Sequence, residues 1–281
     1  MKVQYLGTAA AERIPGMFCD CDVCRRALAR GGRNIMTQAQ VLIDDQLLVD
    51  FSGDTYHHFM SLGKTLFDIE NILITHSHID HFTFESFSLR MKSMAHNVTS
   101  EKIRIFTSAG VIDKMWECLA VRGNKNLDKI PDVFEFVPME YYQTVQLGDY
   151  AVTPLPSEHA GEEQSYIFLI ERDGKSMFYG NDTGFFGEHI DQWLVKNSKH
   201  IDLLSLDCTK CDHPYTYKTH MGMSEGKAIA DRFQACGLID ENTKRYYTHF
   251  SHNGGMIYDE LVEAARKYGF EVTYDGLVLD V

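Results

Sequence analysis

The chain has 281 residues, of which 44% are hydrophobic and 24% are charged, so it can bury a sizeable core and has the composition of an ordinary globular protein. Its net charge of −13, from 27 basic and 40 acidic residues, disfavours a long nucleic acid as partner because no strong basic cluster offsets it. No apolar run reaches membrane length, and the first strand-like segment begins without the apolar core of a signal peptide. These features predict a cytoplasmic protein with one large domain or two small ones and no visible linker.

Three cysteines lie close together near the N terminus, at Cys19, Cys21 and Cys24. The total of seven cysteines is odd, which favours reduced thiols or metal binding over a disulfide framework. Three thiolates at this spacing can face one ion, although a structural zinc needs a fourth ligand. The alternative is three incidental thiols, with a helix that starts at Cys24 and runs to about Arg30.

Two apolar segments, Gln38 to Ile43 and Gln46 to Phe51, flank a short acidic turn and predict a β-hairpin. Thr55 to Leu62 is predicted as a short helix that carries His57 and His58. Because neighbouring residues point in different directions on a helix, we expect both histidines at the surface.

The segment from Asn71 to Thr75 is apolar and β-branched and follows a polar turn, which indicates a buried strand. The loop after it carries four residues that can bind metals, namely His76, His78, Asp80 and His81. His76 and His78 point the same way because alternate residues of an extended chain share one side. A tight turn can place Asp80 and His81 next to them, so the four side chains can converge. These donors suit two borderline divalent ions better than one. The alternative is a histidine-rich surface loop.

The next part of the chain alternates between helix and strand. Helices are predicted over Glu85 to Ala95 and Ala109 to Ala120, with a strand over Ile103 to Thr107 between them. The predicted buried side of the second helix comprises Val111, Ile112, Met115, Trp116 and Leu119. The aromatic stretch from Val121 to Val145 can form strands at the edge of a cleft, a substrate lid or, more commonly, part of the core.

A strongly β-type pattern begins at Tyr150. Strands are predicted over Ala151 to Leu155, Tyr166 to Glu171, Lys175 to Tyr179, Ile201 to Leu206 and Lys244 to Thr248. Metal-competent side chains follow three of these strands, namely His159, Asp182 and His249. Alone, His159 or Asp182 would more often be a turn residue, but their shared position at strand ends favours them as ligands.

Three more helices are predicted in this half of the chain. The first covers Gly187 to Lys196, the second begins at the cap Ser224 and ends near Cys236, and the third covers Tyr258 to Tyr268. A last strand is predicted over Glu271 to Val281. The loop Asp207 to Thr219 contains Cys208 and Cys211. This pair can form a redox or metal site, although two incidental thiols are the favoured interpretation. Strands interleaved with helices in both halves suggest a sandwich of two β-sheets with helices outside.

The ligand series resembles the metal motifs of the metallo-β-lactamase superfamily over nearly the whole chain. The resemblance implies a single domain over residues 1–281 of the α/β (α+β) class, folded as a four-layer αββα sandwich. It also implies a two-metal site, in which His76, His78 and His159 hold one ion, Asp80, His81 and His249 hold the other, and Asp182 bridges them.

Two further features resemble particular branches of the superfamily. His220 is similar to the substrate-side histidine of the phosphodiesterase branch, which includes the tRNA 3′-processing nucleases; a surface histidine at a helix start is the alternative. The cysteine cluster, together with a histidine three residues after His249, resembles the structural zinc site of the PhnP-type phosphodiesterases, which hydrolyse phosphoribosyl cyclic phosphate. This resemblance implies a homodimer and a structural zinc ion held by Cys19, Cys21, Cys24 and His252.

The predicted function is therefore a dinuclear phosphodiesterase that hydrolyses a small cyclic ribose- or nucleotide-like phosphodiester. The attacking group would be a hydroxide between two zinc, manganese or iron ions, oriented by Asp80 and Asp182. His220 would contact the phosphate or protonate the leaving alkoxide. The alternatives are a thioester or lactone hydrolase on the same metals and a PqqB-like accessory protein of cofactor biosynthesis. A tRNA nuclease is disfavoured because no basic extension for RNA is present.

Overall fold

The computed structural model describes residues 1–98, 100–121, 123, 127–213 and 218–281. Its strands are Lys2–Gly7 (β1), Gln40–Ile43 (β2), Leu47–Val49 (β3), Asn71–Leu73 (β4), Ile103–Thr107 (β5), Phe134–Pro138 (β6), Val145–Leu147 (β7), Tyr150–Pro156 (β8), Tyr166–Arg172 (β9), Lys175–Gly180 (β10), Leu203–Asp207 (β11), Lys244–Thr248 (β12), Glu271–Val272 (β13) and Val278–Asp280 (β14). Its α-helices are Asp22–Arg30 (α1), Thr55–Ser61 (α2), Ala109–Val121 (α3), Ile130–Val133 (α4), Glu188–Lys196 (α5), Met223–Ala235 (α6) and Tyr258–Arg266 (α7). Among these described residues, no helix is both long and apolar enough to cross a membrane.

The strands form two seven-stranded sheets with the same internal pattern. The first has the order β14-β1-β2-β3-β4-β5-β6 and the second the order β13-β12-β11-β10-β9-β8-β7. In the first sheet, β3 to β6 pair in parallel and the others pair antiparallel. In the second sheet, β10 to β13 pair in parallel in the same way. Each parallel half aligns the C-terminal ends of its strands, and loops that leave there meet at one edge.

The two sheets pack face to face, and helices cover both outer faces. In β3 the side chains alternate, so Leu47 and Val49 enter the core between the sheets whereas Leu48 enters the core under α2 and α3. The helices α5, α6 and α7 pack on the outer face of the second sheet. Across the central core, the hydroxyl of Tyr5 donates a hydrogen bond to Oγ of Ser205 at 2.8 Å. The predicted αββα sandwich is confirmed.

The aromatic stretch after α3 belongs to the core. Its strand β6 forms the edge of the first sheet, and Phe134 is buried there. The ring of Phe134 stacks on that of Phe87, with centroids 4.2 Å apart. These contacts favour the core interpretation over a substrate lid, while residues 122 and 124–126 of the stretch lie outside the described residues.

Several local predictions were wrong. His58 is only 2% exposed, because α2 turns it towards β2, where its Nδ1 lies 2.7 Å from Oε1 of Gln40; His57 is exposed, as predicted. The helix expected over Glu85 to Ala95 is a 3-10 helix over Phe84–Arg90.

Two more predictions near the C terminus need correction. Helix α6 begins after Gly222 rather than Ser224, and the amide of Gly222 donates to the carboxylate of Glu225. The last predicted strand is divided into β13 and β14, which lie in different sheets. Gly276, with φ at 92°, lies in the turn between them.

Candidate metal centre

All seven predicted ligands lie at or shortly after the C-terminal ends of strands. His76, His78, Asp80 and His81 follow β4, His159 follows β8, Asp182 follows β10 and His249 follows β12. The backbone of Asp182 and of His249 is left-handed, with φ at 47° and 62°. This conformation is uncommon for residues other than glycine and costs roughly 1–3 kcal/mol, and it turns the chain sharply as each strand ends.

The first set of ligands comprises His76, His78 and His159, with Asp182 beside them. One donor atom from each of the four residues lies within 4.8 Å of the others. Nε2 of His159 is 3.0 Å from Nδ1 of His78, and Nε2 of His76 is 3.3 Å from Oδ2 of Asp182. His76 is buried whereas His78 is exposed, so this set faces the surface on one side.

The second set comprises Asp80, His81 and His249, again with Asp182. Nε2 of His81 lies 3.1 Å from Oδ2 of Asp80 and 3.1 Å from Oδ2 of Asp182. Nε2 of His249 lies 3.7 Å from the same Asp182 oxygen. All four residues are buried, and Asp182 belongs to both sets.

Four buried ligand atoms in these sets have no hydrogen-bond partner among the described residues. They are Nε2 of His76, His81 and His249 and Oδ1 of Asp182. The four atoms lie 3.0–3.7 Å from charged atoms of neighbouring side chains but make no well-directed hydrogen bond within the described part of the chain. A buried polar atom without a hydrogen bond is costly, so four of them in one place indicate that a group other than protein completes the centre. Imidazole nitrogen and carboxylate oxygen are the donors that zinc, manganese and iron accept. The residues therefore fit divalent metal ions.

The electrostatics of the centre come from the close approach of carboxylates and imidazoles. Burial opposes the charged form of His81, but the carboxylates of Asp80 and Asp50 raise its pKa well above the ordinary value. Burial and the neighbouring His81 lower the pKa of His76 to about 3. Burial alone would raise the pKa of Asp182, yet the surrounding histidines hold it well below the usual range. Asp182 is therefore a buried carboxylate that remains ionised.

Asp50, at the end of β3, supports the second set, and sequence reasoning missed it. Its Oδ2 lies 2.7 Å from Nδ1 of His81, and its Oδ1 accepts hydrogen bonds from the amide and hydroxyl of Thr75, both at 2.9 Å. A carboxylate behind a ligating histidine fixes the ring and makes its other nitrogen a better donor. The available signal was an acidic residue directly after a buried strand.

Asp207, at the end of β11, supports His249 in the same way and was also missed. Its Oδ2 lies 3.3 Å from Nδ1 of His249 and accepts the hydroxyl of Thr209 at 3.0 Å. Oγ1 of Thr209 is itself 2.8 Å from Nδ1 of His249. Asp207 is fully buried, and its Oδ1 accepts the amide of Met221 at 2.9 Å. It therefore joins the His249 loop to the segment that carries His220.

Glu163 is a third supporting residue that sequence reasoning missed. Its Oε1 accepts the amide of Ser77 at 2.6 Å, and its side chain is only 5% exposed. Ser77 lies between two candidate ligands, and Glu163 belongs to the loop that also carries His159. The contact therefore holds two ligand loops against each other.

His220 lies next to the two sets. Its Nδ1 is 3.0 Å from Oδ1 of Asp182 and 3.4 Å from Oδ2 of Asp207. Burial alone would lower the pKa of His220, but the carboxylates of Asp182 and Asp207 outweigh burial and raise this pKa to about 10. Its ring centroid lies 4.9 Å from that of His159. The position in the cluster disfavours the interpretation of His220 as an ordinary surface histidine.

The cysteine cluster and His252 also come together. Sγ of Cys21 and of Cys19 lie 3.6 Å and 3.8 Å from Nδ1 of His252, and one donor atom from each of these residues and Cys24 lies within 4.8 Å of the rest. All three thiols are free. Burial opposes ionisation of Cys21, but hydrogen bonds, led by that from the amide of Cys24, lower its pKa to about 7. A Cβ at Gly16 would lie 2.9 Å from Nε2 of His252, so glycine permits this close approach.

Cys208 and Cys211 are buried in the core under α6 and α7. Burial raises the pKa of both thiols, that of Cys211 to about 12. Neither belongs to a metal-competent group among the described parts of the chain. This placement favours incidental core thiols, while residues 214–217 of the same loop lie outside the described residues.

A pocket of about 490 Å³ opens onto the candidate ligands. Its described walls include His78, Asp80, His159, Asp182, His220 and His249. The remaining walls come from the loop after β1, the loop after β11 and the segment after His249. The candidate metal centre is therefore accessible to a small molecule.

Comparison with known proteins identifies the family. A family model described as anti-Pycsar protein Apyc1 matches residues 32–235. The chain belongs to this family. The matched segment includes every candidate ligand from His76 to Asp182 and His220, whereas His249 and the cysteine cluster lie outside it.

Individual relatives and solved structures also match the chain. The Apyc1 protein of Paenibacillus xerothermodurans is 28% identical over 146 residues, which cover 50% of this chain and 56% of that protein. The chain thus spans little more than half the length of this curated relative. A diphosphatase of the PhnP family matches with a TM-score of 0.73 at 18% identity, covering 100% of this chain and 97% of the other. The metallo-β-lactamase fold protein YhfI of Bacillus subtilis matches with a TM-score of 0.67 at 17% identity, covering 99% of each chain.

At these identities the structural matches show the fold, and the predicted metallo-β-lactamase fold is confirmed. A protein named ribonuclease Z from Thermoplasma acidophilum is 31% identical over 134 residues, which cover 47% of this chain and 41% of that protein. The metal-dependent hydrolase activity of this chain stays a prediction.

Proposed function

We propose that this chain is a phosphodiesterase that hydrolyses a small cyclic phosphodiester, of the ribose or nucleotide type, at a centre of two divalent ions. The observation that carries the proposal is the convergence of buried ligand atoms, several without a well-directed hydrogen bond to any described residue, from two sets that share Asp182. The match to the Apyc1 family across most of these ligands supports it.

The two sets would hold one ion each. His76, His78 and His159 would bind the first, Asp80, His81 and His249 the second, and Asp182 would contact both. When bound, such a pair of ions supplies a water that ionises near neutral pH and a clamp for phosphate oxygens. The buried carboxylates of Asp80 and Asp182 would stay ionised beside such ions and would orient the water.

The pocket favours a small substrate. Its volume of about 490 Å³ lies within the range of roughly 300–1,000 Å³ that is usual for small-molecule sites. The net charge of −13 opposes the approach of a long RNA. The anionic group of a small substrate would be attracted locally by the bound ions. His220 lines the pocket beside Asp182, where its ring can contact a phosphate oxygen or give a proton to the leaving alkoxide.

The cysteine cluster would hold a structural zinc. A tetrahedral zinc with ordinary Zn–S and Zn–N distances places sulfur and nitrogen about 3.5 Å apart, close to the 3.6 Å and 3.8 Å found around His252. Such an ion ties the first loop to the segment just after His249. It thereby contributes to folding and holds one ligand of the catalytic centre in place.

Hydrolysis of bis(p-nitrophenyl) phosphate tests the proposal. The wild type and His220→Ala are supplied with zinc or manganese, and metal content is determined on the same samples. We expect turnover by the wild type and a loss of about 10²- to 10⁴-fold in His220→Ala with both ions retained. His189→Ala, an exposed histidine of α5, is the matched control and should keep wild-type turnover.

No turnover from a wild type that contains both ions would contradict the proposal. The function would then move to an ester or thioester hydrolase or to an accessory role. A single domain over residues 1–281, a cytoplasmic location and a homodimer remain predictions of the sequence.

A further inference from the structure

Glu12 places a carboxylate in the wall of the pocket that contains the candidate metal centre. Its Oε1 accepts a hydrogen bond from the hydroxyl of Ser251 and lies 3.4 Å from Nδ2 of Asn253. Its Oε2 receives no hydrogen bond from the residues that the structure describes, and 32% of the side chain is exposed. One oxygen is thus anchored while the other is available to a ligand.

The anchor places Glu12 beside the segment that carries the candidate ligand His249. Ser251, which holds Oε1 of Glu12, follows His249 by two residues, and all three residues line the same pocket of about 490 Å³. A group bound to Glu12 would therefore share this pocket with a phosphate at the centre.

Charge decides what kind of group faces this carboxylate. Apart from the candidate ligands and His220, the described walls carry two charged residues, Glu12 and Lys210. Lys210 is paired with Glu225, with Nζ and Oε2 2.5 Å apart. Glu12 repels a phosphate but gains a charge-assisted hydrogen bond from a neutral hydroxyl.

We infer that Glu12 is a specificity-determining residue that accepts a hydrogen bond from the free ribose hydroxyl of the substrate. The inference rests on the proposed function, since it presumes a cyclic ribose phosphodiester at the metal centre. It adds a requirement that metal chemistry does not impose, namely a free hydroxyl on the sugar beside the phosphate.

The test compares the four 3′,5′-cyclic ribonucleotides with their 2′-deoxy counterparts. The wild type is expected to prefer at least one ribonucleotide over its deoxy counterpart by about 10- to 100-fold in kcat/KM, the effect of one hydrogen bond to a charged group. Glu12→Ala should lose this preference, mainly through KM, and Ser251→Ala should weaken it. Glu241→Gln, an exposed glutamate in the turn before β12, is the matched control and should keep it.

Bis(p-nitrophenyl) phosphate, which has no sugar, separates failure of the inference from failure of the proposed function. If the wild type cleaves this diester but treats ribo and deoxy substrates alike, the assignment of Glu12 is overturned while the phosphodiesterase stands. An equal loss of ribo and deoxy activity in Glu12→Ala, with lower melting temperature or zinc content, would show an anchoring role and also overturn it. No cleavage of any phosphodiester by the metal-loaded wild type would overturn both.

Discussion

The two ligand sets of the candidate metal centre are supported in different ways. In the second set, the outer nitrogens of His81 and His249 face the buried carboxylates of Asp50 and Asp207. In the first set, Nδ1 of His76 lies 3.0 Å from the hydroxyl of Thr75, and Nδ1 of His159 lies 3.0 Å from the carbonyl oxygen of Thr219. Among the described residues, the one carboxylate near either nitrogen is the shared Asp182, whose Oδ1 is 3.1 Å from Nδ1 of His159.

The second set is therefore the more firmly supported part of the centre, and the first set is the more accessible part. A carboxylate behind a histidine increases the basicity of the ligand and fixes its ring, whereas a neutral acceptor does so less strongly. The second set is also fully buried, while His78 of the first set is exposed. We therefore expect the second set to bind its ion more tightly and the first set to exchange its ion more readily.

Asp182→Asn should have the largest effect because it alters the residue that both sets share. We expect kcat/KM to fall by about three orders of magnitude or more and both ions to bind weakly. Metal analysis together with kinetics checks this. Asp191→Asn, which changes a buried carboxylate paired with Arg232 outside the centre, should lose stability but keep its metals. A variant at Asp182 with two tightly bound ions would break the idea of a shared ligand.

Asp50→Asn tests whether each ligand set binds its ion independently of the other. Loss of the carboxylate behind His81 is expected to weaken one of the two ions by about 10- to 100-fold and to affect the other much less. A stoichiometric metal titration resolves the two steps, with Asp191→Asn as control. Equal weakening of both ions would show that the two sets do not act as separate supports.

Cys21→Ser tests whether the cysteine cluster is a metal site that supports folding from outside the catalytic centre. We expect the loss of one zinc per chain and a melting temperature lower by roughly 5–10 °C, with a smaller effect on turnover of the molecules that remain folded. Cys236→Ser, at an exposed thiol of α6's C-terminal end, should change neither quantity. Wild-type melting temperature with one full zinc in Cys21→Ser would contradict the assignment.

His58 contrasts with the supported histidines, since burial is its largest influence and lowers its pKa to about 4. The folded chain therefore binds this proton less well than the unfolded chain, whose histidine has a pKa of about 6.5. The contribution of His58 to stability is full above about pH 6.5 and falls, by up to about 3 kcal/mol, as the pH decreases towards about 4. Asp275, whose pKa burial raises to about 6, acts in the opposite direction over the same range.

Variants at the two adjacent histidines isolate this effect. His58→Gln should flatten the decrease in unfolding free energy between pH 6.5 and 4 relative to His57→Gln, which changes an exposed neighbour. Denaturant unfolding at several pH values measures the difference. Parallel pH profiles for the two variants would show that His58 does not titrate as its burial requires.

The candidate ligands could be named from the sequence, whereas the residues that support them could not. His76 to His81 stand out because the ligand types lie at fixed spacing in one loop after one strand. Asp50 lies 31 residues before its partner His81 and is a single acid after a strand, a common arrangement with many explanations. Only the pairing of β3 with β4 in the sheet brings the two together.

The wrong local predictions have similar causes. The helical period places His58 on one side of α2 but cannot show that β2 faces that side. The C-terminal segment has strand-like residues on both sides of Gly276, and the sequence alone does not reveal that they enter different sheets. Long-range packing decides each case, and a local pattern does not contain it.

The most direct test of the two-set centre is to locate bound ions by anomalous diffraction from crystals of the zinc- or manganese-loaded protein. We predict two ions about 3.5–4 Å apart, one among His76, His78 and His159, the other among Asp80, His81 and His249, with Asp182 between them. A single ion in the cluster of a fully loaded protein, or two ions that do not share Asp182, would contradict the account.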